Sequence, residues 1–70
     1  MNQDELIYQL IFSKDEEFTI YVSKYVPDIY KYSSFIKEIK SILKKSKVSI
    51  VKETVDILVN DVKWNLKVKK

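Results

Sequence analysis

FTIYVSKYV, residues 18–26, decides the fold of this chain. Phe18, Ile20, Val22 and Val26 alternate with Thr19, Tyr21, Ser23 and Tyr25, and β-branched and aromatic side chains dominate. A period of two in such residues reads as a strand with one buried face. The other reading is a short helix whose stripe is Phe18, Val22, Tyr25 and Val26.

Outward toward the N-terminus, Asn2 with Glu5 three residues on fits a capping box, and Leu6, Ile7, Leu10 and Ile11 recur at helical spacing. These predict a helix over residues 3–13, joined by a charged connector from Ser13 to Glu17. Outward in the other direction, Pro27-Asp28 is a break that starts a new element. Ile29, Tyr32, Phe35, Ile36, Ile39, Ile42 and Leu43 then repeat in steps of three and four. They predict one long helix to about Lys45, or a turn followed by a helix from Ser33 or Ser34.

The last third reads as β. Residues 47–51 form a short β-branched stretch, and a second stretch, 54–59, leads through a turn at Asn60-Asp61 into residues 62–68. There apolar side chains hold the even positions and polar ones the odd. Asn and Asp both tolerate the positive φ that tight hairpins need. The alternation changes phase between Ile50 and Val55, which predicts a bulge near Lys52-Glu53.

The fold class expected is therefore α+β, in one of two orders. One is α-β-α-β-β, a three-stranded sheet packed on two helices. The other splits the middle of the chain and gives α-β-α-α-β-β. In element order and size the second resembles the winged-helix superfamily, over nearly the whole chain. The resemblance implies a helix-turn-helix from Thr19 to Lys45, with Val22 or Ser23 where that family places a small residue. It implies a wing from Val48 to Val68, and a recognition helix at 33–45 lying in the major groove of DNA. Lys63 and the Asn60-Asp61 tip would then lie near the backbone.

Composition narrows the function. The 70 residues fit a single domain, 1–70, and an apolar share of 46% is too high for a disordered chain. Gly, Ala, Arg, Cys and His are all absent. No disulfide, thiolate or imidazole chemistry is open to it, and no phosphate-cradling glycine loop. Catalytic residues, cofactor and metal are accordingly expected to be none, and the chain is not expected to be an enzyme. Asp15-Glu16-Glu17 reads as a charged turn. Apolar runs of about three residues, such as Ile57-Leu58-Val59, leave no room for a membrane span, so a soluble, cytoplasmic protein is expected.

Charge supplies the functional hint. Residues 1–28 carry two Lys against six acids, and residues 29–70 carry eleven Lys against four, so −4 and +7 sum to the net +3. Six of those lysines fall between Lys31 and Lys47, with Glu38 the one acid among them. Placing Ile36, Ile39 and Leu43 inward turns Ser33, Ser34, Lys37, Lys40, Ser41, Lys44 and Lys45 to the polar side. With Lys47 and Lys63 they are the candidate DNA-binding residues. Ammonium groups bind phosphates as point charges and release counterions. With Lys and Ser alone, base readout is weak and sequence preference modest. A solvated, lysine-rich face that complements the helix dipole is the plainer explanation.

Three further features call for weighing. Lys67, Lys69 and Lys70 read as a frayed, solubilising end, or as a tail trailing over phosphates. Trp64, Tyr8 and Tyr32 are expected to fill the core, whereas aromatics on a basic sheet would stack single-stranded bases. Tyr21 and Tyr25 share a face of the expected strand. If exposed, that Tyr-rich face, or the acidic one, would dock a protein partner or a second copy, which makes a protein-interaction module the alternative function. Lastly, Pro27-Asp28 followed by Glu38-Ile39-Lys40 matches the spelling of the PD-(D/E)xK nucleases, but Glu38 and Lys40 fall on an amphipathic helix around a buried Ile39.

Overall fold

The computed structural model describes residues 2–70. Helix α1 (Gln3–Phe12) leads into strand β1 (Glu17–Tyr21). Two short 3-10 turns, Val22–Lys24 and Ile29–Lys31, precede helix α2 (Tyr32–Lys45). Strands β2 (Ser49–Leu58) and β3 (Asp61–Lys69) complete the chain. The fold is α+β: two helices and an antiparallel sheet in the order β1-β3-β2. This is the two-helix, three-strand order that the sequence allowed. No third α-helix forms between β1 and α2.

The strand expected over residues 18–26 stops at Tyr21 for an identifiable reason. The last β1–β3 pair is Tyr21 with Lys63. Beyond it the Asp61 carboxylate accepts the Ser23 N–H at 3.0 Å, so a side chain replaces the next rung of the ladder. The N–H groups of Tyr25 and Val26 both turn back to the Val22 carbonyl at 3.0 Å. This folds Tyr25 away from the sheet and stacks it on Phe35, with centroids 5.9 Å apart.

The helix signals act as read. The Asn2 side chain accepts the Glu5 N–H at 2.9 Å, and Asp28 caps the second 3-10 turn by accepting the Tyr30 N–H. α2 ends at Ser46 with Lys47 in the left-handed region, φ 60°. There the Val48 N–H reaches Leu43 and the Lys47 N–H reaches Lys44. That is the Schellman arrangement, which favours Gly at the position Lys47 holds.

β3 is the central strand, and its even positions (Val62, Trp64, Leu66 and Val68) are all buried. Leu6 and Leu10 of α1, Ile20 of β1, and Tyr32, Phe35, Ile39 and Leu43 of α2 close over them. The hairpin loop is Val59-Asn60, closed by the pair Leu58–Asp61, with Asn60 at φ 61°. It lies one residue earlier than expected because Asp61 is already in β3. The bulge lies between Ile50 and Lys52, slightly ahead of its expected place.

Two aromatic and tail expectations are corrected. Trp64 and Tyr32 are buried, but Tyr8 is 61% exposed and packs on Phe12 at 5.0 Å. Leu6 and Leu10 take the inner face of α1, which leaves Tyr8 on the other side. The C-terminus is not a loose tail: β3 runs to Lys69. The Lys70 ammonium donates to the carbonyls of Ser13 and Asp15 and sits 5.4 Å from the Phe18 ring.

Candidate nucleic-acid interface

Burying Tyr32, Phe35, Ile39 and Leu43 against the sheet fixes which way the rest of α2 points. Residues three and four apart share a side of a helix. Lys37, Lys40, Ser41 and Lys44 therefore line one flank, and the α2 terminus brings Lys47 alongside them. The structure joins these five in a shallow hollow lined also by Val48 and, at the start of β2, Ile50. No carboxylate is among its lining residues.

One lysine of the group is engaged. The Lys40 ammonium lies 2.9 Å from the Glu53 carboxylate, pinning α2 to β2. Both side chains remain partly exposed, so the pair is worth ~1 kcal/mol or less. Among the described residues it is the one ion pair. Lys37, Lys44 and Lys47 are exposed and make no ion pair. The acids Asp15, Glu16 and Glu17 group instead around Lys67.

The other candidate residues are dispersed. Ser33 lies nearer the N-terminus of α2, in a second groove with Lys37 and Lys40. Ser34 and Lys45 fall in line with Glu38, away from the five-residue flank. Lys63 is on the opposite face of the sheet, in a row with Tyr21 and Asp56, because odd positions of β3 point away from the helices. It does not join the α2 lysines. Nor do Tyr21 and Tyr25 form one face: Tyr21 is on the outer sheet surface near Lys24, and Tyr25 has turned inward toward Phe35.

The second groove went unnoticed in the sequence. It runs between α2 and the hairpin and is largely apolar, lined by Ile29, Ile36, Val55 and Ile57 with Lys37 and Lys40 on its rim. Ile57 is 86% exposed and Val59 at the hairpin tip 91%. The signal was available in Ile57-Leu58-Val59: three consecutive apolar residues running into a tight turn cannot all face inward.

Asp61 anchors the hairpin base. Hydrogen bonds from the backbone N–H groups of Ser23 and Val62 hold its carboxyl below the usual carboxylate value, against a smaller opposing effect of desolvation. Glu38 and Lys40 stand on α2 with the fully buried Ile39 between them, which gives the nuclease spelling no common site. Among the described residues no helix is long and apolar enough to cross a membrane. Compared with protein-family models, with curated proteins and with solved structures, the chain matches none.

Proposed function

We propose that this chain binds duplex DNA as a small regulator or accessory factor, held mainly by phosphates along the β2-facing flank of α2. One observation carries this reading: Lys37, Lys44 and Lys47 converge with Lys40 on a hollow that no carboxylate lines. Such a row suits a phosphate backbone, where released counterions supply the favourable free energy. α2 takes the recognition position that the winged-helix likeness implies and the β2–β3 hairpin that of the wing, although two 3-10 turns stand where that family has its middle helix. Leu58, Val59 and Asn60 at its tip offer no cation, so phosphate contacts fall to α2 and Lys47. Serine and lysine give little to read bases with, and sequence preference is modest.

Fluorescence anisotropy with a random duplex at several salt concentrations tests the proposal. Contact with four or five phosphates makes log K fall against log salt with a slope of about −4. K37E/K44E, which leaves the Lys40–Glu53 pair intact, weakens binding at least about tenfold at 0.1 M salt. A flat salt response sinks the idea. The exposed Ile57 beside the apolar groove favours a second reading, a protein-interaction module. In that case K37E/K44E leaves DNA affinity unchanged.

A further inference from the structure

β2 is the longest strand of the sheet, and its outer edge has no partner strand among the described residues. In an antiparallel ladder alternate residues turn their N–H and C=O groups to opposite sides, so this edge offers a row of unpaired groups. Edge strands left alone are usually short or guarded by charge. The distal half of β2 instead exposes Val55, Ile57 and Leu58.

The charge pattern of β2 indicates what covers it. Lys52, Thr54 and Asp56 lie on the outer face of the sheet, since their β3 partners are Lys67, Asn65 and Lys63. Lys52 and Asp56 stand two residues either side of Thr54. We infer that two copies of this chain pair through β2, antiparallel, about a two-fold axis at Thr54. Lys52 of each copy then faces Asp56 of the other, so the contact is made twice. The Val55 side chains become diagonal neighbours on the helix-bearing face, and Ile57 meets the bulge at Val51. Neighbouring two-fold registers are worse. Centring on residue 52, 53 or 56 sets Lys against Lys, Glu against Glu or Asp against Asp, and centring on 55 leaves Lys52 and Asp56 without opposite charges. Cross-strand partners of opposite sign stabilise a sheet and like charges destabilise it. This pairing does not rest on the DNA reading and is measured without nucleic acid.

The absence of cysteine makes a direct test available. Residues opposite one another in such a ladder have Cα atoms about 4.5–5.5 Å apart, within reach of a disulfide. Thr54→Cys is expected to cross-link two full-length chains under mild oxidation, whereas Thr19→Cys on β1 is not. In sedimentation equilibrium, K52E and D56K each weaken dimerisation about tenfold, and K52E/D56K restores it to within about threefold. K52E faces Lys67 within its own chain, so circular dichroism should show an intact fold. A chain that stays monomeric to about 1 mM, single variants that dimerise like the parent, or equal cross-linking at positions 54 and 19 would each overturn the proposal.

Discussion

Asp61 shows how much one side chain can decide. Its carboxylate takes the N–H of Ser23, ends β1, and so determines that residues 22–26 turn rather than extend. That hydrogen bond and the one from the Val62 N–H hold its carboxyl below the ordinary carboxylate value. A group depressed in the folded state stabilises fully above its unfolded pKa and loses that contribution as pH falls through the folded one. Thermal melts should therefore show stability declining below about pH 4, with a shallower decline for D61N over the same window. An identical acid limb in both proteins would contradict the assignment. Trp64 is a different kind of residue-scale fact. It is fully buried, and its indole N–H has no hydrogen-bond partner among the described residues.

At the level of elements, α2 is built by its sequence, but its exit is strained. Lys47 adopts φ 60° where a chain containing glycine would use one. The left-handed region costs a non-glycine residue ~1–2 kcal/mol, part of which the greater freedom of an unfolded glycine offsets. K47G is expected to raise stability by about 0.5–1 kcal/mol in urea denaturation. On the DNA-binding proposal it also removes a cation from the hollow, so the salt slope is expected to fall by about 1. A gain in stability with no change in slope would leave Lys47 a purely structural residue. The hairpin is the opposite case. Its alternation marks β3 as central, yet the edge strand is less covered, so Val62 is buried while its β2 partner Ile57 stays in water.

At the scale of the whole molecule, the acidic cluster lies apart from the lysine hollow, although Lys67 and Lys70 of the basic half return to it. Asp15, Glu16 and Glu17 surround the end of β3, while the lysine hollow opens beside β2. Pairing of β2 strands about Thr54 would join two sheets into one, with both α2 helices on the same face. A dimer then presents two lysine flanks to one duplex. The salt slope per dimer is expected to approach twice that of K52E, the variant that disfavours pairing. Equal slopes for the two proteins would separate dimerisation from DNA contact.

The helices, the alternation of β3, the proline break and the bulge were legible in the chain because each rests on local rules: capping, period and turn chemistry. So was the α+β class. The lysine row from Lys37 to Lys44 could be read for the same reason, since helical spacing alone puts those residues on one flank. Only the tertiary structure decided where β1 stops, that Tyr21 and Tyr25 part company, and that the C-terminal lysine is tied down. Each of these depends on a contact between residues far apart in sequence, such as Asp61 with Ser23 or Lys70 with Ser13. Local propensity carries no information about such pairs, because their free energy exists only once the sheet has brought them together.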